Sequence, residues 1–415
     1  MSKPLHVALV SEHASPLAVL GGTDAGGQNV HVAELARHLA GLGAVVTVHT
    51  RRDDPALPSH VPFAPGVDVH HVDAGPAQPL PKDELLPFMR EFAEVLVSEW
   101  QTQRPDVVHS HFWMSGLASM QAADALSIPW AHTYHALGTV KRAQQGTHDT
   151  SPRDRIPVEQ HLARCADLLI ATSSEESAEL RDYGAAPERV VRVPCGVDLS
   201  IFHPDGPAAP LPRAQRRLVV VGRLVERKGI GNVIEALAAL PADVELVVAG
   251  GPPHGLLDDD PAAQWFLQHA TELGVAERVQ MLGALDRQRV AELMRSADLV
   301  CCCPWYEPFG LVAVEAMACG VPVVATRVGG LAETVVDGVT GVHVPPRRPD
   351  AIASAIAPLL DDEPRRAHLG RNAARRAERF GWPGVAATTL DHLRGLSGRR
   401  SDITPVAAFA RETGL

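Results

Sequence analysis

The sequence predicts an α/β protein built from two Rossmann-like domains, and three observations carry that expectation. Short apolar runs rich in Val, Leu and Ile alternate with helix-period segments through most of the 415 residues. The runs lack strict polar–apolar alternation, as strands covered on both faces should. The alternation breaks once, at FHPDGPAAPLPRAQRR (residues 202–217), and then resumes. At about 150 residues per domain, the length suits two to three domains. A 46% hydrophobic and 21% charged composition excludes disorder over most of the chain.

Taken in order, the first strand is expected at residues 5–10. An amphipathic helix follows at 29–42, with Val32, Leu35, Ala36, Leu39 and Leu42 on one stripe and Gly43 closing it. Further strands are predicted at 45–49, 67–72, 107–110, 130–134, 168–172 and 190–193, with a helix near 84–100. Strand–helix–strand units of this size form right-handed parallel crossovers. Four prolines, a glycine and a burst of arginines at 202–217 read as a linker. The second set of strands is expected at 218–221, 244–249, 279–282, 299–303, 323–325 and 341–344. Helices including 232–240, 287–294 and 311–318 separate them. The expected organisation is an N-terminal domain at 1–200, a linker at 201–217, a C-terminal domain at 218–384, and a final helix and tail at 385–415. Ligands of doubly wound sheets bind beyond the carboxyl ends of the strands, so a cleft between two facing domains is the expected site.

The net charge of −11, from 38 Lys and Arg against 49 Asp and Glu, argues against nucleic acid as a partner and against an anionic membrane surface. An anionic substrate must then meet a local basic pocket. No apolar run approaches the 18 or so residues of a membrane span, so no stable membrane insertion is expected. The start of the chain lacks the apolar stretch and cleavage site of a signal peptide. Cys165, Cys195, Cys301, Cys302, Cys303 and Cys319 contain no C-x-x-C pair and read as reduced, buried thiols of a cytoplasmic protein.

Three motifs carry chemistry. GGTDAGGQN (residues 21–29) follows the first strand and opens the first helix, where glycines and free N–H groups suit an anion. It is neither G-x-G-x-x-G nor a Walker A sequence, and alone it serves equally as a ligand-free turn. VGRLVERKG (residues 221–229) places Arg223 and Lys228 between a strand end and a helix, where they could clamp a diphosphate or simply face solvent. EPFGLVAVE (residues 307–315) sets Glu307 in a loop and Glu315 in the next helix, two acceptor-only carboxylates suited to paired hydroxyls. The run Asp258-Asp259-Asp260 reads as an exposed loop, and no ligand cluster with metal spacing is visible, so no metal is expected.

E-P-F-G-x4-E with E-A-M-A-C-G-x-P-V-V, the G-R-L-x-x-x-K-G loop and the G-G-Q-N helix start together resemble the retaining glycosyltransferases of family 4, with the GT-B fold. The resemblance spans roughly residues 7–382. The N-terminal half is most similar to the mycothiol-pathway branch, which moves N-acetylglucosamine onto inositol phosphate, with the sucrose-phosphate synthases next. His13, Asp24, Gly26, Gly27, Asn29, the H-S-H-x-W run at 109–113, and His135, Leu137 and Lys141 carry that likeness.

The resemblance implies a nucleotide-diphosphate-sugar co-substrate, UDP favoured over GDP or ADP, with no other cofactor, and a homodimer. Gly27 would offer its amide to the donor diphosphate, and Arg223 and Lys228 would clamp it. Glu307 would hold donor-sugar hydroxyls and Glu315 the ribose. Amides of Phe309, Gly310 and Leu311 would assist. His135 would lie beside the anomeric centre, although a buried histidine of purely structural purpose would look the same. His13, Asp24 and Asn29 would face the acceptor. In the inositol-phosphate branch a Lys, a Tyr, a Thr and an Arg converge on the acceptor phosphate. Lys82 and Arg155 match two of these positions, but Phe112 and Ala136 replace the Tyr and Thr. Two hydroxyl donors are therefore missing, at about 1–3 kcal/mol for each unmatched buried group. The expected acceptor is another small polar molecule, such as a sugar, cyclitol or sugar phosphate. A non-catalytic sugar-nucleotide-binding protein and an epimerase of the same fold are the competing readings. The first would be expected to lack Glu307 or Lys228, and both are present.

Overall fold

The computed structural model describes residues 3–18, 26–210 and 216–398. Among the described residues two compact units form, one of residues 3–18, 26–193 and 383–398, the other of residues 194–210 and 216–382.

The N-terminal unit is built on an eight-stranded sheet. Its strands are β1 (His6–Val10), β2 (Val45–Arg51), β3 (His60–Ala64), β4 (Val67–Val72), β5 (Val107–His111), β6 (Trp130–Thr133), β7 (Leu168–Ala171) and β8 (Val190–Arg192), in the order β3-β4-β2-β1-β5-β6-β7-β8. All pair in parallel except β3, which runs antiparallel to β4 at the edge. β3 escapes the sequence reading because it is short, half exposed and carries Pro62, as edge strands do. The other strands lie where expected. Their near-continuous burial, complete for β5, β6 and β7, explains the unalternating apolar runs. Trp100, Trp113, Phe92 and Leu117 fill the core on one face.

The C-terminal unit has six parallel strands. These are β9 (Arg216–Val221), β10 (Val244–Ala249), β11 (Val279–Gly283), β12 (Leu299–Cys302), β13 (Val323–Thr326) and β14 (Gly341–Val344), ordered β11-β10-β9-β12-β13-β14. Its two apolar clusters, around Phe266 and Ile356 and around Phe202 and Met317, cover the two faces. All six cysteines are free, and burial pushes the Cys301 and Cys319 thiols up to about 12.

Each sheet reverses its strand order once, between β1 and β5 in the first unit and between β9 and β12 in the second. Chains leaving neighbouring strands at such a switch point diverge and open a crevice beyond their carboxyl ends. The fold thereby selects two loop pairs, residues 11–18 with 112 onward, and residues 222–229 with 303–310.

The division between units falls between Val193 and Pro194, earlier than residue 200. Val197 N–H donates to Phe380 O at 2.7 Å and Trp382 N–H donates to Val197 O at 3.2 Å, tying this segment to the C-terminal unit. The proline-rich stretch is not a free tether among its described residues. Arg295 donates to the carbonyls of Ile201, His203 and Pro207, Ala209 N–H reaches Glu292 O, and Phe202 is buried. Arg216 and Arg217 already belong to β9. Residues 211–215 lie outside the described residues. The last helix, Trp382–Ser397, starts earlier than expected, and from Pro383 onward it belongs to the N-terminal unit.

The turn after β10 admits no side chain. Gly250 has φ +137°, and a Cβ there would stand 1.9 Å from Gly222 O. Gly250→Ala is expected to cost about 2 kcal/mol or more. At about 2–4 °C per kcal/mol for a domain of this size, calorimetry should read a Tm drop of several degrees; an unchanged Tm would contradict this packing.

Candidate active site

In the N-terminal unit the functional side chains follow β1, β5 and β6. Past β1, the Glu12 carboxylate is buried. Its Oε1 lies 2.7 Å from His13 Nδ1, and Ser115 Oγ donates to its Oε2 while accepting from its backbone N–H at 2.9 Å. A carboxylate held this way fixes the orientation of the His13 ring. Glu12 was not legible in the sequence, because an acid beside a loop histidine forms no pattern. The His13 ring meets Phe112 edge-on, 4.8 Å between centroids.

Phe112 has φ 80° and His135 φ 61°. Left-handed backbone at bulky residues costs about 1–3 kcal/mol each and persists where the surroundings enforce it, characteristically at ligand sites. His135 Nε2 lies 3.0 Å from His111 Nδ1, and the His31 ring stands 5.0 Å from that of His135. Burial pushes His31 down to about 4 and holds His111 and His135 well below the usual histidine range, with mutual repulsion among these rings and His109 adding to it. All three are neutral at physiological pH. His109 and His132, also buried and pushed down to about 3, bond Thr133 Oγ1 and Ser110 Oγ within the sheet.

Of the expected acceptor residues, two are committed to the fold. Asn29 is buried; its Oδ1 accepts from Gly26 N–H at 2.9 Å and its Nδ2 donates to Ser15 O at 3.0 Å, so it caps the helix Gly27–Gly41. Arg155 is 2% exposed. Its guanidinium bonds Glu159 at 2.7 Å, Ala136 O at 2.8 Å and Ser151 Oγ at 3.2 Å, and lies 5.2 Å above the Phe112 ring. Neither side chain is presented to a ligand as expected, because each finds a closer internal partner. Ala136 contributes its carbonyl to that ion pair. Lys82 begins a short turn, Lys82–Glu84, and is half-buried. Gly27 is exposed at the first position of its helix, and Asp24 lies outside the described residues.

In the C-terminal unit β9 ends at Val221, and Gly222, with a φ of +156°, turns the chain into Arg223 and the short helix Glu226–Lys228. Gly229, φ +72°, passes so close to β12's exit that a Cβ would stand 1.9 Å from Cys303 O. This contact brings Lys228 to the loop after β12, where its Nζ donates to Glu307 Oε2 at 2.5 Å. The pair is about one-fifth exposed on each side. Burial alone would raise the Glu307 carboxyl; Lys228, Arg227 and the Gly310 N–H outweigh it and hold the group below its usual range. Gly310, φ +93°, then starts the helix Leu311–Ala318, with the Phe309 ring buried beneath. Gly329 and Gly330, not singled out from sequence, let the next loop pack directly on Glu307 and Pro308, and Gly330 N–H donates to Glu307 O at 3.1 Å.

Glu315 sits on that helix, half-buried, with Arg287 as its offsetting cation. Trp305 bonds Asn232 Oδ1 through its indole N–H and carries the Arg347 guanidinium 3.9 Å above its ring. Asp260 of the acidic run caps the helix Pro261–Glu272 through Ala263 N–H. Metal-type spacing, invisible in the linear sequence, does occur among the described residues: His31, His111 and His135 form one cluster, and His49, His70 and Glu99 another.

Residues 25–201 match the family described as Glycosyltransferase Family 4, and residues 207–376 the family described as Glycosyl transferases group 1. The chain is 40% identical to D-inositol 3-phosphate glycosyltransferase 2 of Catenulispora acidiphila, over 94% of this chain and 95% of that protein. It is 39% identical to D-inositol 3-phosphate glycosyltransferase of Kribbella flavida, over 95% and 96%. Among solved structures it resembles sucrose-phosphate synthase from Thermosynechococcus elongatus, with a TM-score of 0.87, 32% identity, and coverage of 94% of this chain and 99% of that one. No described helix is long and apolar enough to cross a membrane.

Burial pushes the Glu315 carboxyl from 4.5 up to about 7, with Arg287 offsetting only part of the rise. The folded protein thus holds that proton more tightly than the unfolded chain, and the associated stability is lost as pH climbs from about 4.5 through about 7. Glu315→Gln, neutral at every pH, should therefore raise Tm more at pH 8 than at pH 5. Thermal unfolding at the two pH values checks this; a larger gain at pH 5 would contradict the assignment.

Proposed function

The chain belongs to glycosyltransferase family 4, with the GT-B fold, and from that premise we propose that it transfers a sugar from a nucleotide-diphosphate sugar to a hydroxyl of a small polar acceptor, with retention at the anomeric carbon. The observation that carries the donor half is the Lys228–Glu307 ion pair at the start of the helix Leu311–Ala318. An anionic diphosphate and a polyhydroxylated ring together offer what each partner of the pair needs. The diphosphate takes the ammonium of Lys228, with Arg223 beside it, and the sugar hydroxyls donate to Glu307. Glu315 serves the ribose. UDP is the favoured nucleotide, through the family branch that the chain most resembles.

As the glycosidic bond breaks, the ring becomes oxocarbenium-like and the leaving diphosphate gains negative charge. Arg223, Lys228 and the amides that open the helix Leu311–Ala318 stabilise that charge in place. Fixed donors aimed at developing charge lower a barrier more than any other single device in catalysis of this kind. Their positive charge supports a reaction that proceeds without a divalent metal. The acceptor hydroxyl attacks from the face that the leaving group vacates, and a phosphate oxygen takes its proton. Burial keeps the His135 imidazole neutral, which supports a hydrogen-bonding role in the transfer over that of a cation.

The named relatives favour a cyclitol acceptor. Inositol phosphate itself is disfavoured by Phe112 and Ala136, which offer no hydroxyl, and by Arg155, whose guanidinium is spent on Glu159, Ser151 and Ala136. We assign the acceptor to the cyclitols, sugars and sugar phosphates other than inositol 1- or 3-phosphate.

A panel of UDP-, GDP- and ADP-sugars read by thermal shift identifies the donor, because a ligand at 100 times its Kd adds about 2.7 kcal/mol of stability. With the best donor, an acceptor panel should give product of retained configuration. Lys228→Ala and Arg223→Ala should each lower turnover about 100-fold. Stabilisation by no activated sugar, near-normal turnover in both variants, or efficient use of inositol phosphate would each overturn the corresponding part of the reading.

A further inference from the structure

We infer that His31, His111 and His135 form a binding site for a divalent transition-metal ion of the zinc class, and that its occupation blocks the enzyme. The three imidazoles come from separate elements: the helix Gly27–Gly41, the end of β5, and the loop after β6. Their ring centroids are 5.0, 5.2 and 5.6 Å apart. One nitrogen from each lies within 4.8 Å of the others, and the His111 Nδ1–His135 Nε2 pair is 3.0 Å apart. Tetrahedral zinc with Zn–N of about 2.0–2.1 Å sets its nitrogens about 3.4 Å apart. The His111–His135 pair is therefore near that spacing already, and the His31 nitrogen, within 4.8 Å of the others, must close by at most about 1.4 Å.

All three rings are buried or half-buried, and an imidazole ligates a metal through a nitrogen that carries no proton. Each ring retains its single proton on the nitrogen turned from the ion, so binding exchanges tautomers without releasing a proton. One hydrogen bond links His111 Nδ1 to His135 Nε2, so these two nitrogens already face each other across the position an ion would take. The second cluster contrasts with this. Trp100 donates to His49 Nε2, which leaves the proton on Nδ1 facing Glu99 Oε2 at 3.3 Å, and His70 Nδ1 lies 3.2 Å from the same oxygen. In that set the Glu99 carboxylate already gathers both imidazoles.

Occupation would withdraw His135 from the role proposed for it in the transfer. This inhibitory half rests on the transfer reaction proposed above; the binding half does not. The test uses the full chain stripped with EDTA. Calorimetry with Zn2+ and visible absorption with Co2+ read binding directly, and initial rates with the best donor and acceptor read inhibition. Two variants remove the His31 ligand while filling its space, His31→Phe and His31→Gln, with Glu99→Gln as the control at the second cluster. Zn2+ should bind the wild type at one tight site with a tetrahedral Co2+ spectrum. Either His31 variant should weaken binding at least about tenfold, and Glu99→Gln should not. Zn2+ should inhibit transfer reversibly, with the His31 variants about tenfold less sensitive and their metal-free rates within about twofold of wild type. Equal affinity in both His31 variants, or loss of the site in Glu99→Gln, overturns the site. Tight binding without inhibition overturns the inhibitory half alone. Absence of any transferase activity would refute the reaction and leave the binding result to stand or fall by itself.

Discussion

The ion pair between Lys228 and Glu307 is the constraint around which the C-terminal unit is arranged. Neither partner is placed by its own element. Lys228 is held at the β12 exit because Gly229 passes against Cys303 with no room for a Cβ, and Glu307 is held by a loop on which Gly329 and Gly330 lie directly. Two partly buried opposite charges close to each other satisfy one another only until a better pair of partners arrives. A diphosphate joined to a sugar is such a pair, carrying strong acceptors at one end and hydroxyl donors at the other. The helix dipole at Leu311 and the depressed carboxyl of Glu307 both follow from this arrangement.

The N-terminal unit meets its chemistry by a different device. Strained backbone at Phe112 and His135 follows β5 and β6, and a buried carboxylate at Glu12 sets His13. Burial holds the His31, His111 and His135 rings below the usual histidine range, so this unit gathers polar but uncharged groups where the other gathers an ion pair.

Much of this was legible in the sequence because parallel strands buried on both faces leave runs of Val, Leu and Ile that helices interrupt at regular intervals. Twelve expected strand positions beyond β1 recur in the fold for that reason. β3 was not legible, since an edge strand bearing Pro62 carries no such run. The proline-rich stretch misled for the opposite reason. Its composition suits a tether, but Arg295 captures its carbonyls one after another. At the site, the sequence singled out Lys228 and Glu307 separately, and the structure joins them as an ion pair. Residue type and position could not show that Asn29 and Arg155 have internal partners. An amide or a guanidinium looks the same in sequence whether its partner is a ligand or, as here, Gly26 and Ser15 or Glu159. Metal-type clusters were equally hidden, since His31, His111 and His135 are brought together only by the closing of the sheet.

The most direct measurement compares nucleoside diphosphate with the matching nucleotide-sugar, each titrated calorimetrically into wild type and Glu307→Gln. If the pair is a latch that the donor opens, the variant frees Lys228. The nucleotide alone should then bind as tightly as to wild type or more so, while the nucleotide-sugar loses about tenfold, the roughly 1.4 kcal/mol of one charged hydrogen bond. Equal weakening of both ligands would contradict the account, because it would mean that Glu307 supports the phosphate side and never engages the sugar.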